Sequence, residues 1–354
     1  MKTAPMLLIH GGKKDKNNTG RKDTWNLYNI MNSKVLDLQV SVSNLRYCGS
    51  SKGWLIALDH FNIVRLINPF FRVRGRKKKE NSIIYLPPLD IIRRLGGNAW
   101  GNYQVYKAII SADPILNADD CIVMVMYRPA FRLAFINLSK DMRWTYVDES
   151  AITCQRRNYN QEVAQLEDGF YAVKTSNQLL SIDTHAQYPS NVKLKKEDFE
   201  DYGELIWNEK ELKKYLVDLN EQGLLLVQRY ITYTDDEYDQ TLNRETEGFT
   251  VFEFNFDECQ WIEKNSIGDL ALFLGDNSSV SVVASNFPGC RSNCIYFNHD
   301  ADRRWVIAGR SWRPDDFGVY DIGTRCFSKP NTNAMTLIKT TRQPLIWIHP
   351  TIFL

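Results

Sequence analysis

The chain has 354 residues, 44% hydrophobic and 24% charged, the balance of a globular protein able to bury a large core rather than of a disordered one. Its 44 Lys and Arg against 42 Asp and Glu leave a formal charge of +2, too small for the broad positive field of a dedicated nucleic-acid binder, so no specific nucleic-acid partner is expected. The longest apolar runs, such as "CIVMVMY" and "PLIWI", fall far short of the ~20 residues that cross a bilayer as a helix, and no membrane association is expected.

The chain opens with an apolar run of only Met6 to Ile9, against the ~7 to 15 residues of a secretory core, so no secretory signal is expected. "MLLIH", "WNLYNI" and "KVLDLQV" then read as strands. Next comes "CGSSKGWLIALD", in which residues 49–53 match the Gly-x-Ser-x-Gly nucleophile elbow. That elbow needs a helix directly after the serine, whereas "WLIALD" reads as a strand, so Ser51 is read as a turn residue. "FRVRGRKKKE" places Arg72, Arg74, Arg76, Lys77, Lys78 and Lys79 within eight residues. It is a candidate basic patch for nuclear import or an anionic partner, read first as a solvated loop.

Short β-rich runs continue: "YKAIISADP", "CIVMVMY", "RLAFINL", "GFYAVKT" and "QLLSID", each bounded by Gly, Pro, Asn or Asp. In "KKEDFEDYGELIWNEKELKKYLVDLN" the charge density rises, and a short helix within an insertion is expected between Asn208 and Leu216. "GLLLVQRYITY" and "TVFEFNF" follow, the latter alternating Phe252, Phe254 and Phe256 with Glu253 and Asn255 as a half-buried strand does. A loose repeat underlies these runs: Asn137, Asp183, Asn255 and Asp321 each close an apolar strand, with Trp144, Trp261 and Phe327 shortly after three of them. Four strands per unit suggest propeller blades near 48–89, 104–148, 162–195, 212–265 and 270–330. The N-terminal strands and "PLIWIHP" close a sixth from both chain ends, which removes exposed sheet edges. The expected fold is all-β: one closed β-propeller of six blades, with residues 1–354 as a single domain.

Seven scattered cysteines fit a reducing compartment, so cytoplasmic or nuclear residence is expected, with an organelle left open. Cys290, Cys294 and His299 supply three ligands where a structural zinc site wants four, and three residues between the cysteines exclude a Cys-x-x-Cys redox pair. The expectation is a turn at "NFPG" followed by Cys294 as a small buried residue, with no metal and no cofactor. Trp54, Trp144 and Trp261 read as blade core. Trp305 and Trp312 instead sit among Arg303, Arg304, Arg310 and Arg313 in "DRRWVIAGRSWRPDD". Trp and Arg are enriched at binding hot spots, so Trp305, Arg310 and Trp312 are the candidate partner contacts.

Taken in order, "CGSSKGWLIALD", "LINPF", "LPPL", "YKAIISADP", "LAFINLSKDMRW", "DGFYAVKT", "ALFLGDNSSVSVVASNFPGCRSNCIYF" and "FGVYDIGT" resemble the plant KIB-type F-box-associated β-propeller, formerly a domain of unknown function numbered 295. The resemblance covers about residues 45 to 350, and the block beginning "LGDNSS" is its most specific element. It implies a protein-recognition module, because full-length members resemble substrate receptors of SCF-type ubiquitin ligases. Those members carry a helical F-box with an early Leu-Pro. Here Pro5 is the only proline before Pro69, so no F-box is expected at the N-terminus and direct binding of a Skp1-type adaptor is not expected. Two readings stand: a non-enzymatic module that binds a protein partner, or an enzyme using Ser51 or the Cys290, Cys294 and His299 cluster.

Overall fold

The computed structural model describes residues 4–11, 24–39, 45–59, 61–72, 81–89, 105–127, 131–147, 160–184, 192–195, 210–219, 223–236, 241–300, 316–329, 338 and 345–350. They form six sheets, four of them with their strands in simple chain order, the blades of an all-β, six-bladed β-propeller. The chain divides into two compact units of three sheets each, Met1–Val40 with Tyr202–Pro350, and Ser41–Asp201 with Thr351–Leu354. Among the described residues no helix is long and apolar enough to cross a membrane.

The unit holding residues 41–201 contains three four-stranded antiparallel sheets. The first comprises β4 (Arg46–Ser51), β5 (Trp54–Leu58), β6 (Ile63–Arg72) and β7 (Asn81–Pro88). The second comprises β8 (Val105–Ile110), β9 (Ile122–Tyr127), β10 (Arg132–Asn137) and β11 (Thr145–Tyr146). The third comprises β12 (Asn160–Leu166), β13 (Gly169–Lys174), β14 (Leu179–Ile182) and β15 (Val192–Lys195). Strand β9 shows why "CIVMVMY" is apolar without a break. Val123 and Val125 join Trp54, Ile56, Leu66 and Ala108 in one core, while Met124 and Met126 join Leu133, Phe170 and Leu180 in another. Alternate residues of a strand point to opposite faces, and both faces of this sheet are covered.

Strands β4, β8 and β12 share a feature no motif announces. Each shifts register near its start, between Tyr47 and Gly49, Val105 and Lys107, and Asn160 and Glu162, which leaves one extra residue as a bulge. β4 lies so close to β8 that a Cβ on Gly49 would sit 1.9 Å from the Ala108 carbonyl oxygen. The β4–β5 connection is a two-residue turn with Lys52 at φ 51 and Gly53 at φ 79, the positive pair that a type I′ hairpin requires.

The other unit holds β1 (Met6–Gly11), β2 (Thr24–Asn29), β3 (Lys34–Gln39) and β25 (Ile346–Ile348) in the order β25-β1-β2-β3. Both chain ends therefore meet in one sheet, as expected, with Met6 opposite Ile348 and Leu8 opposite Ile346. Trp347 is fully buried there and its indole N–H donates to the Leu274 carbonyl at 2.9 Å. Ending the chain at residue 340 would uncover the edge of β1 and empty the Trp347 site. The expected result is aggregated, insoluble protein on expression; a soluble truncation with an unchanged melting temperature would show that β25 contributes nothing.

The same unit holds β16 (Lys210–Asp218), β17 (Leu224–Asp236), β18 (Thr241–Asn255) and β19 (Gln260–Lys264) in an antiparallel sheet. The helix expected between Asn208 and Leu216 is not there: from Lys210 onward the segment is strand. Lys, Glu and Leu favour helix locally, but nine residues of β16 pair with β17, and Tyr215, Val217 and Leu219 alternate into one apolar cluster. Tertiary burial overrides a propensity worth only tenths of a kcal/mol per residue, roughly. Phe254 packs edge-on against its cross-strand partner Trp261 at 4.8 Å between ring centroids, while Phe249 and Val251 enter the core on the opposite face.

The last sheet departs from four strands per blade. It has five, β20 (Leu270–Gly275), β21 (Ser278–Val283), β22 (Cys294–Phe297), β23 (Gly318–Asp321) and β24 (Cys326–Ser328), in the order β21-β20-β22-β23-β24. β20 and β22 run parallel, so residues 284–293 form a crossover rather than a corner between adjacent strands. A one-turn 3-10 helix, Ala284–Asn286, begins it, and Gly289 turns at φ 88 with its α-carbon face only 3.1 Å from the Met31 carbonyl oxygen, measured from a would-be Cβ. Asn293 ends it, donating its N–H to the Leu270 carbonyl at 2.8 Å while its side chain accepts from Ile267 N–H at 2.9 Å.

The sequence repeat has a physical cause in these blades. Asn137 Oδ1 accepts the N–H groups of Ser139 and Lys140, Asn255 Oδ1 those of Asp257 and Glu258, and Asp321 Oδ1 that of Thr324. Each side chain imitates a backbone turn in the connection between the last two, antiparallel strands of its blade. In two of these turns a residue before the outer strand, Cys259 or Arg325, sits at φ 56.

Candidate functional site

The most unusual chemistry among the described residues is a buried ionic cluster in the unit that holds residues 202–350. It is built from residues far apart in sequence. Lys213 and Tyr215 come from β16, Arg229 from β17, Arg244 and Thr246 from β18, and Asp276 from the β20–β21 turn. His299 and Asp300 follow β22, and Asp316 precedes β23. β17 and β18 are long because they continue past the blade, through a register shift at Tyr230/Ile231. That extension brings Arg244 and Thr246 to the cluster.

Arg229 is its centre and is fully buried. Its Nη1 donates to Asp300 Oδ2 at 3.1 Å, to the Asn298 carbonyl at 2.9 Å and to the Tyr215 hydroxyl at 3.1 Å. Nη2 donates to Asp316 Oδ2 at 2.8 Å, and Nε donates to Thr246 Oγ1 at 2.9 Å. The guanidinium carbon also lies 4.7 Å from the Phe297 ring centroid, a cation–π contact. Asp300 is shared further: Lys213 Nζ lies 3.1 Å from Oδ2, Tyr215 donates to that oxygen, and Asp276 N–H donates to Oδ1 at 2.7 Å. Asp316 accepts from Thr246 Oγ1 at 2.9 Å and pairs with Arg244 Nε at 3.3 Å. Lys213 also bridges to Asp276.

Three cations, Lys213, Arg229 and Arg244, thus face three carboxylates, Asp276, Asp300 and Asp316. Burial alone would raise the Asp300 carboxyl, yet Lys213, Arg229 and Arg244 together hold it well below the usual carboxylate range. Burial, then the positive charges of Arg244 and Arg229, push His299 well below the ordinary imidazole value. It is neutral at pH 7, and its Nδ1 accepts the Asp316 N–H at 3.3 Å. With charge balanced and both Asp300 and Asp316 multiply bonded, what the cluster does is mechanical. Asp300 and Asp316 bound residues 301–315, and one guanidinium holds both.

Most of the candidates drawn from sequence fall outside the described residues. Trp305, Arg310 and Trp312 lie outside the described residues, as do Arg74, Arg76, Lys77, Lys78 and Lys79; Arg72 ends β6. Ser51 is a hairpin residue whose Oγ donates to the Ile110 carbonyl at 3.1 Å, and strand β5, not a helix, follows it. Cys290 and Cys294 are free thiols. Cys294 faces the core shared with Phe273 and Trp347, where burial raises its thiol, and burial pushes Cys290 up to about 11. His299 belongs to the ionic cluster, beyond the intervening strand β22, so the three do not converge. Among the described residues no group of three His, Cys, Asp or Glu is placed to hold a metal. The cluster itself escaped motif reading because its members are scattered over several strands, a turn and two strand flanks, with no fixed spacing between them. The one legible signal was Arg229 inside "LLLVQRYITY".

Comparison with known proteins bears on what such a scaffold serves. The model of the KIB1-4 beta-propeller family matches residues 27–321. The chain belongs to the KIB1-4 β-propeller family. Curated relatives of this KIB1-4 propeller include a putative F-box protein of Arabidopsis thaliana, 41% identical over 54 residues, 15% of either chain. A second Arabidopsis thaliana F-box protein is 40% identical over 55 residues, 16% of this chain and 17% of that one. These matches therefore span about a sixth of the relatives' length. Among solved structures, the Citrobacter koseri AztD structure aligns over 79% of this chain and 60% of its own, at 9% identity and a TM-score of 0.36. The N-terminal domain of Nup159 aligns over 93% and 72%, at 10% identity and 0.32. Neither carries any part of the functional reading. Membership in a propeller family whose curated relatives are F-box proteins supports a protein-interaction role for the KIB1-4 chain.

Proposed function

We propose that this chain is a non-enzymatic recognition module that holds a protein partner as the substrate-recognition propeller of an F-box-type receptor does, and that residues 301–315 carry the contact. The observation that supports this is the Arg229 guanidinium, which bonds Asp300 at 3.1 Å and Asp316 at 2.8 Å and so fixes both flanks of that segment to the blade. A segment rooted on a rigid, buried base can vary without disturbing the core, which is where recognition belongs in such folds. Trp305, Arg310 and Trp312 supply the residue types that dominate binding energy. The Skp1-type adaptor is not assigned to these blades.

The test is capture by the purified chain from a plant extract, quantified by mass spectrometry against a W305A/R310A/W312A triple variant. Partner recovery is expected to fall at least about tenfold while the melting temperature stays nearly unchanged. Equal recovery would remove these residues from the contact surface. Direct capture of purified Skp1-type adaptor would place an adaptor site on the propeller and contradict the second half of the reading.

A further inference from the structure

A second surface lies in the other unit, on the β8–β11 sheet, and does not depend on residues 301–315. Two loops stand side by side there, residues 111–121 between β8 and β9 and residues 138–144 between β10 and β11. Asn137 Nδ2 donates to the Asp119 carbonyl at 3.2 Å, and Leu138 N–H donates to the Cys121 carbonyl at 2.9 Å. Both loops are internally wired. Asp113 Oδ1 accepts the N–H groups of Ile115 and Leu116 at 2.8 and 3.0 Å, and its Oδ2 accepts the Trp54 indole N–H at 3.0 Å. In the second loop Asn137 N–H donates to Asp141 Oδ2 at 2.8 Å and Asp141 N–H donates back to the Asn137 carbonyl at 3.0 Å.

These fixed loops hold large apolar side chains outward. Ile115 is 48% exposed, Leu116 64% and Met142 88%. One exposed leucine is ordinary; three such residues on two loops locked together are the start of an interaction surface. The charge around them selects the occupant. Residues 111–121 contain Asp113, Asp119 and Asp120 and no Lys, Arg or His, and the second loop adds Asp141 against Lys140 and Arg143. Asp119 and Asp120 are exposed and form none of the ion pairs among the described residues. Four carboxylates against two cations leave the surface negative. We infer that Ile115, Leu116 and Met142, rimmed by Asp119 and Asp120, dock an apolar segment of a partner protein that carries lysine or arginine between its apolar residues.

The test uses the full chain and three fluorescein-labelled ten-residue peptides, alternating leucine with lysine, leucine with glutamate, and serine with lysine, followed by anisotropy at low salt. Saturable one-to-one binding is expected for the leucine–lysine peptide alone, with hydrogen-exchange protection centred on residues 111–121. I115S/L116S/M142S should weaken it about tenfold or more, and D119N/D120N about threefold, an effect that salt should erase. Absence of saturable binding, equal binding of the serine–lysine peptide, protection elsewhere, or affinity unchanged in the triple variant would each overturn the inference. Sedimentation of the chain alone guards against a different occupant: self-association abolished by the triple variant would assign the surface to a second copy and overturn it too.

Discussion

Gly49→Ala is expected to be among the most damaging single substitutions in the β4–β8 region. A Cβ there would lie 1.9 Å from the Ala108 carbonyl oxygen and 2.9 Å from its carbonyl carbon. These are backbone atoms of the neighbouring blade and cannot swing aside as a side-chain tip would. Either β4 and β8 separate, which opens the core around Trp54, Ile56 and Val105, or the bulge at Cys48 is lost and the register of β4 slips. Overpacking alone costs about 1 to 3 kcal/mol, and a clash with backbone belongs at or above the top of that range. Gly248→Ala is the control. Nothing lies within 4 Å of its would-be Cβ, and its stability should change by about 0.5 kcal/mol or less. Urea denaturation of the two variants side by side reads the difference; similar midpoints would mean that the two strands tolerate a wider separation.

Arg229→Met should be nearly as severe for a different reason. Methionine fills much of the volume but leaves Asp300 and Asp316 buried without their shared cation, and breaking a buried pair by removing one partner costs about 3 to 5 kcal/mol. Arg229→Lys keeps a charge but cannot fork to both carboxylates, so an intermediate loss is expected. The same cluster makes the fold acid-sensitive. His299 has a folded-state pKa below its ordinary 6.5, so as pH falls through 6.5 the unfolded chain takes up a proton that the folded chain refuses, and stability declines. The Asp300 carboxyl is likewise depressed below 3.8, and its contribution, complete above that value, is lost on further acidification. Stability measured from pH 8 to pH 3 should therefore be flat above about 7, begin to fall as pH passes 6.5, and fall more steeply as the Asp300 carboxyl contribution is lost below about 4. In His299→Gln the first decline should disappear while the second persists. A wild-type profile level down to pH 4 would contradict the burial of a neutral His299.

Much of this fold can be read from local pattern because blades repeat a local solution. Strand-length apolar runs, the Asx turns at Asn137, Asn255 and Asp321, and the apolar segments at both chain ends each depend on a few neighbouring residues. They suffice for six sheets and for the joining of β1 to β25. Family membership is legible for the same reason, since the block from Leu274 to Phe297 encodes one hairpin and one crossover. Three things were decided only by tertiary structure. Lys210–Asp218 is a strand because Tyr215 and Val217 find a core and β17 offers nine pairing partners, a condition that helix-favouring side chains do not report. The parallel pairing of β20 with β22 depends on where residues 284–293 carry the chain, which periodicity does not register. The ionic cluster gathers Lys213, Arg229, Arg244, Asp276, Asp300 and Asp316 from segments up to about a hundred residues apart. Each reads alone as an ordinary polar residue, and only their shared burial in a low-dielectric site, where an unpaired charge is prohibitive, makes them one structure.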